Sequence, residues 1–250
     1  MTGTGGPTVS LEVAGAVATL RWSNPARRNA IGRQACEDLA ARLEELARQP
    51  QVSVIHLDSA DGPFCSGFDL TEFAGLDLTD PAQASRFFAP GRRLLAALRE
   101  APQAVVCTPR QYALGFGLSL LACSDYAVAP ADAQFGLPEI TAGVVPSTAA
   151  ADLLAVMPAR TVLRWALDGR RRSAAEAQTA QLVTDVVAPA ELAGHTAALL
   201  ADLAAAGELL AATKKTWRHL CAAAPADRTR VAVELATRNP LRAGRNGRTR

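Results

Sequence analysis

One carboxylate stands alone in an apolar stretch of this 250-residue chain. Glu139 lies in Ala133-Gln-Phe-Gly-Leu-Pro-Glu-Ile-Thr-Ala-Gly-Val-Val-Pro146, among Phe135, Leu137, Ile140, Val144 and Val145. A carboxyl group in an apolar wall has its pKa raised towards neutrality, which is what a general base needs. Taken alone, Glu139 would serve as well as an arginine's partner or a helix cap, the commoner roles of a lone carboxylate.

Two glycine-containing turns carry the second kind of chemistry. Gly62-Pro-Phe-Cys-Ser-Gly-Phe-Asp-Leu70 follows an apolar run, and Tyr112-Ala-Leu-Gly-Phe-Gly-Leu-Ser-Leu120 follows another and opens a helix. Glycine permits backbone angles that aim an N–H group away from secondary structure. Helix N-termini also leave N–H groups unpaired. Two such turns converging on one point would stabilise a developing oxyanion. Each is a weak signal without the other.

The elements that must hold these segments follow from pattern. Residues 9–13 and 17–22 flank Ala14-Gly15-Ala16 and read as a β-hairpin. Ile31, Ala35, Leu39, Leu43 and Leu46 recur at helical spacing, predicting a helix over 31–49 that Pro50 ends. Short strands are expected at 52–57, 104–108 and 126–129. Helical material at 81–99 is expected to break near Pro90 and Gly91, and a short apolar helix follows the turn at 115–117. From about residue 147 the pattern is helical, apart from a strand near 182–187. Strands first, with helices between and after them, predict an α/β fold with a helical C-terminal region.

Composition narrows the function class. Hydrophobic residues make up 49% and charged residues 20%, an ordinary globular balance. Arg242, Arg245, Arg248 and Arg250 sit in an acid-free end, so the rest of the chain carries a formal −2 against +2 for the whole. Residues 239–250 therefore read as a basic, disordered tail, and residues 1–8 as a loose N-terminus. No basic stripe interleaved with aromatics points to nucleic acid. No apolar run reaches membrane-spanning length. The five cysteines (Cys36, Cys65, Cys107, Cys123, Cys221) form no CxxC pair, which suggests neither disulfides nor zinc and fits a reducing cytoplasm.

The order of these pieces resembles the crotonase (enoyl-CoA hydratase/isomerase) family. Asn24-Pro-Ala-Arg-Arg-Asn-Ala-Ile31 is similar to its "NRPxxxNAL" segment, and Phe64-Cys-Ser-Gly-Phe-Asp-Leu70 to its "FSAGADL" turn. Leu114-Gly-Phe-Gly-Leu118 resembles the "GGG" turn, and Phe135-Gly-Leu-Pro-Glu139 matches "FGxPE". Leu167-Asp-Gly-Arg-Arg-Arg-Ser-Ala-Ala-Glu-Ala177 is similar to "LTGxxxSAxEA", and Val183-Thr-Asp-Val-Val187 follows where the family has "GLVxxVV". The resemblance implies a spiral of ββα units over residues 9–238 and assembly into homotrimers or homohexamers. It also implies an acyl-CoA or acyl-carrier thioester as substrate, with no metal and no other cofactor. The thioester oxygen would be held by the amides of Ser66 and Phe116, with Glu139 as the catalytic carboxylate. Arg27, Arg28, Cys65, Gly67, Phe68, Asp69, Leu70, Gly115, Gly117 and Ser119 would line the substrate path.

The departures from the family pattern bear on the reaction. Hydratases of the family carry a second glutamate two residues after the glycine turn, where this chain has Ser119. A serine hydroxyl is too weak a base to replace it unaided. A single carboxylate resembles the Δ3,Δ2-enoyl-CoA isomerases, so isomerase is favoured over hydratase or a biosynthetic thioester lyase. A non-catalytic binding subunit of the same fold is the alternative from another class. Ser119 as a nucleophile lacks a visible partner, since His56, His195 and His219 carry no local signature. Lys214 and Lys215 alone read as a solvated helix face, whereas the resemblance implies that one of the two meets a CoA phosphate.

Overall fold

The computed structural model describes residues 7–77 and 79–237. The tail expected at 239–250 and most of the loose N-terminus lie outside them. The hairpin forms as expected: β1 (Thr8–Ala14) pairs antiparallel with β2 (Val17–Ser23) across Gly15 at φ 60°. From β2 onward the main sheet is parallel. It runs through β3 (Val54–Ser59), β4 (Ala104–Cys107), β6 (Tyr126–Pro130) and β9 (Asp185–Val187) in the order β1-β2-β3-β4-β6-β9.

A second, smaller sheet consists of β5 (Tyr112–Leu114), β7 (Gln134–Gly136) and β8 (Arg172–Ser173). Cys65 extends this layer through a parallel bridge to Ala113. Each turn of the chain thus lays one strand in the main sheet and then one short strand in the second layer. This is the ββα spiral. Three-residue strands show no periodicity, so β5 and β7 escape sequence reading.

All six residues of β3 are buried, as a central parallel strand requires. Ile55, Leu57, Val105 and Cys107 face the main core, while Val54, Val106 and Val128 pack on the other side against Leu199, Leu200 and Leu203. Those leucines belong to α7 (Leu192–Ala206), which precedes α8 (Glu208–Ala222) and α9 (Arg228–Thr237) in the helical C-terminal region. Among the described residues, no single helix is long and apolar enough to cross a membrane.

Two helices cover the main core, α1 (Arg33–Leu46) and α2 (Pro81–Glu100). α1 starts two residues later than the spacing suggests, because Ile31 is held in a bridge to Phe68. Its buried Ala35, Cys36, Leu39, Ala40, Leu43 and Leu46 follow helical spacing. Arg93 of α2 ties the pair together, donating to Glu37 at 2.6 Å and to Glu44 at 2.7 Å. The expected break at Pro90 does not occur. α2 continues through it, since the carbonyl freed by proline is that of Arg86, on the exposed side. Pro90 and Gly91 themselves are buried.

Shorter helices complete the fold: α3 (Phe116–Ala122), α4 (Ser147–Leu153), α5 (Ala159–Asp168) and α6 (Ala174–Thr179). The last begins with a full capping box, in which Ser173 and Glu176 satisfy each other's backbone amides. Strand β9 is shorter than the expected 182–187, because Leu182 and Val183 turn back to the carbonyl of Ala177.

Candidate active site

Three segments predicted to do chemistry follow three neighbouring strands of the second layer. Cys65 pairs with Ala113, and Ala113 pairs with Phe135, both in parallel register. Parallel neighbours end at the same edge. The chain beyond Cys65 reaches Ser66, beyond β5 it reaches Phe116, and beyond β7 it reaches Glu139. The spiral therefore brings together residues 73 positions apart in sequence, with the side-chain chemistry placed beyond the strand ends.

Two glycines make the close approach possible. Gly67 adopts φ 109° and Gly115 φ 52°, angles that L side chains rarely adopt. A Cβ on Gly115 would lie 2.6 Å from Oε1 of Glu139 and 3.8 Å from Cα of Gly67. The carboxylate of Glu139 thus sits directly over Gly115, where the two turns meet. Gly117 presses on Cys65, whose Cβ would be 2.9 Å from a side chain there.

The backbone amides divide into used and unused. Cys65 N donates to Tyr112 O at 3.2 Å, and Gly115 N to Gly136 O at 3.0 Å. Gly67 N points at the sulfur of Cys65, 3.4 Å away. The amides of Ser66 and Phe116 find no backbone acceptor among the described residues. The Ser66 hydroxyl faces elsewhere and donates to Arg27 O at 3.0 Å. Ser66→Ala should therefore keep turnover within about threefold of the parent, because the amide survives the change. Steady-state kinetics on the folded variant check this, and a collapse of kcat would assign the work to the hydroxyl.

Glu139 is the second residue of the 3₁₀ turn Pro138–Ala142. Among the described residues its buried Oε2 has no hydrogen-bond partner, and no arginine acts on the carboxylate. Burial pushes its pKa above the usual carboxylate value, opposed only by its own backbone N–H. Ser119 lies on α3, four residues after Gly115. It is 1% exposed, and its hydroxyl has no partner among the described residues.

The remaining predicted residues surround the first turn. Arg27 and Arg28 are exposed beside Ser66. Cys65 is fully buried, so its sulfur supports the turn from within; burial raises its thiol pKa to about 12. Asp69 accepts from Thr71 N at 3.0 Å, capping the 3₁₀ turn Leu70–Phe73, while Leu70 is exposed. Phe68 turns towards α2. Of the two lysines, Lys214 is held by Asp125 at 2.6 Å and Gln103 O at 2.7 Å, which leaves Lys215 exposed.

Sequence reasoning missed Asn29 as a functional support. It is fully buried in the left-handed region, at φ 56°. Its Nδ2 donates to Ala60 O (3.2 Å), Asp61 O (3.2 Å) and Pro63 O (2.8 Å), while Oδ1 accepts from Asn24 N (2.8 Å). Ile31 N then bonds Gly67 O, and Asp69 N bonds Ile31 O, each at 3.0 Å. Residues 24–31 thus grip the first turn on both sides of Ser66. Trp22 secures this segment through Asn29 O at 3.3 Å and stacks edge-on to Phe64 at 4.9 Å.

Among the described residues, no group of three or more His, Cys, Asp or Glu side chains could hold a metal.

Comparison with known proteins places this arrangement. The enoyl-CoA hydratase/isomerase family profile matches residues 12–238. A Rhizobium meliloti (strain 1021) protein described as a probable enoyl-CoA hydratase is 34% identical over 187 residues, covering 74% of this chain and 70% of that protein. The 2,3-dehydroadipyl-CoA hydratase of Escherichia coli (strain K12) is 32% identical over 171 residues, covering 68% of this chain and 65% of that protein, just under two thirds of its length. A Thermobifida fusca YX protein solved in complex with CoA superposes with a TM-score of 0.84 at 26% identity, covering 96% of this chain and 95% of that one. The spiral, the order of the motifs and the profile match agree: the chain belongs to the enoyl-CoA hydratase/isomerase family.

Proposed function

We propose that the protein isomerises an enoyl thioester, using Glu139 as its single base and the amides of Ser66 and Phe116 as the oxyanion hole. The observation that carries this reading is the lone, unpaired carboxylate over Gly115. Among the described residues no neutralising partner weakens it as a base, and burial raises its proton affinity.

In this reading a 3-enoyl thioester binds with its carbonyl oxygen on the two amides. Glu139 removes a proton from C2, and the electron pair moves onto the thioester oxygen as a dienolate. The amides stabilise that charge where it develops. The resulting Glu139 carboxylic acid returns the proton at C4, the oxygen lone pair re-forms the carbonyl, and the double bond ends between C2 and C3. One base suffices because the proton that leaves is the proton that returns.

Hydration is the second reading, favoured by the hydratase names of both curated relatives and by the buried hydroxyl of Ser119. It needs a water held for attack at C3 as well as a proton for C2. A coupled assay separates the two. Conversion of 3-hexenoyl-CoA to 2-hexenoyl-CoA without 3-hydroxyacyl product supports isomerisation. Consumption of 2-hexenoyl-CoA with formation of that product supports hydration. Inactivity on both would favour a non-catalytic binding subunit.

A thioester of CoA or of an acyl carrier is the proposed substrate, supported by the CoA held in the T. fusca structure. The protein is also proposed to act in the cytoplasm as a homotrimer or homohexamer. Val144, Val145, Leu154, Leu163 and Leu167 are exposed on and around α4 and α5, a surface that a second copy would cover. Light scattering at micromolar concentration should return three or six times 26.1 kDa, and a monomeric mass would overturn this assembly.

A further inference from the structure

The run Asp168-Gly-Arg-Arg-Arg172 has no part in the reaction above, yet it lies against the back of the turn that carries Glu139. A Cβ on Gly169, whose φ is 60°, would stand 2.9 Å from Cγ2 of Ile140 and 3.2 Å from Cγ2 of Thr141. One on Gly136 would stand 3.0 Å from Arg170 O. Strand β8 continues the contact, with Arg172 opposite Phe135 and Ser173 opposite Gln134. Gly136 O in turn holds the amide of Gly115 at 3.0 Å. The run thus backs both the carboxylate and the second glycine turn.

Residues 138–142 have little else to fix them. Among the described residues their hydrogen bonds stay within their own turn or reach only Gly143 and Val144. Packing on the run behind them therefore sets where the turn stands.

An ion pair shapes that run. Asp168 accepts from Arg170 N at 3.0 Å through Oδ1 and from the Arg172 guanidinium through Oδ2, closing residues 168–172 on themselves. Arg172 is 5% exposed, the one lysine or arginine buried among the described residues. Its guanidinium carbon lies 5.7 Å from the centre of the Trp165 ring, and its Nε has no hydrogen-bond partner among the described residues. A buried cation depends on its counter-charge, and without Asp168 the guanidinium would gain by moving towards water and drawing β8 off β7. Resting on the reading of Glu139 as the base, we propose that Arg172, paired with Asp168, is a positioning residue for that base. It holds residues 168–172 as the rear wall of the 138–142 turn, and so sets where the carboxylate stands over Gly115.

Exchange of the C2 protons of hexanoyl-CoA with D₂O, followed across pH, tests this. Arg172→Met fills similar space against Trp165 and leaves no buried charge, so the variant should fold. Its exchange rate should fall roughly 10–100-fold, with hexanoyl-CoA affinity within about threefold of the parent. Among the described residues no charged group acts on Glu139, whose pKa is raised by burial, so the midpoint of the pH profile reports how dry the carboxylate is. A loosened turn admits water, and the midpoint should move to lower pH. Asp168→Asn keeps an acceptor for Arg170 N but strands the guanidinium, and should move rate and midpoint the same way. A slower rate with an unmoved midpoint in both variants would reduce the pair to a structural role and overturn the proposal. Parent-like rate and midpoint in both would overturn it as well, while leaving Glu139 as the base. Exchange by the parent no faster than in buffer, or by Glu139→Gln at the parent's rate, would overturn the reading of Glu139 and the positioning role with it.

Discussion

Glu139→Gln should lower turnover by ~10²–10⁴-fold while leaving thioester binding largely intact. The substitution keeps the size and shape of the side chain over Gly115 but removes the carboxylate placed there. Ser119 offers no rescue, since a hydroxyl takes protons poorly and nothing activates it. Ser119→Ala should consequently cost far less. In the parent, turnover should rise with pH through the raised pKa of Glu139 as the basic form appears. Stability has the opposite sign. A carboxyl group whose pKa is raised in the folded state binds its proton more tightly there than in the unfolded chain. Stability is then complete below the ordinary carboxylate range and is lost as pH rises through the raised value. Glu139→Gln removes that loss. Denaturation curves should show the variant more stable than the parent at neutral pH and equal to it below the ordinary carboxylate range. Parent-like turnover in the variant would show that another group serves as the base and would overturn the single-base reading.

Asn29→Ala should destabilise the fold by about 3–5 kcal/mol, more than any substitution at the site itself. It would strand three carbonyls, those of Ala60, Asp61 and Pro63, and the amide of Asn24. A buried group left unsatisfied costs ~1–3 kcal/mol, and water reaching the outer carbonyls offsets part of the sum. Asn29→Asp should fare little better, because a carboxylate cannot donate to the three carbonyls. The grip on Ser66 also loosens, so kcat should fall in whatever fraction stays folded while free-CoA binding changes less. Urea denaturation and kinetics below the transition measure both. A loss under 1 kcal/mol with unchanged kcat would show that residues 60–63 hold their course without Asn29.

The contrast between these residues shows what a sequence exposes. Glu139, Gly67 and Gly115 were legible because chemistry and backbone constraint are written locally, in a lone carboxylate and in glycines beside apolar runs. What brings them together was not. β5, β7 and the Cys65 bridge are too short to show a period, yet their parallel register is what aligns Ser66, Phe116 and Glu139. Asn29 acts on carbonyls 31 to 34 residues away, and no local pattern announces such a partner. The ring cluster of Phe68, Phe73, Phe87, Phe88 and Phe116 draws on α2, the 3₁₀ turn at Leu70–Phe73 and both glycine turns, so its members look unrelated along the chain. Pro90 misleads for a related reason. Local rules predict a break, whereas the packing of Gly91 against Phe116 rewards an unbroken helix. Lys214 and Lys215 were indistinguishable until Asp125 and Gln103 claimed the first.

Isomerisation and hydration both pass through a proton transfer at C2, so the exchange of that proton tests Glu139 and the two amides before either product forms. Hexanoyl-CoA, which can undergo neither reaction, would be incubated with the protein in D₂O and its C2 protons followed by NMR. The parent should exchange them well above the buffer rate, Ser66→Ala should do so nearly as fast, and Glu139→Gln should fall to within about tenfold of the buffer. Exchange by Glu139→Gln at the parent's rate, with the thioester still bound, would show that another group takes the proton and would contradict the assignment of Glu139 as the base.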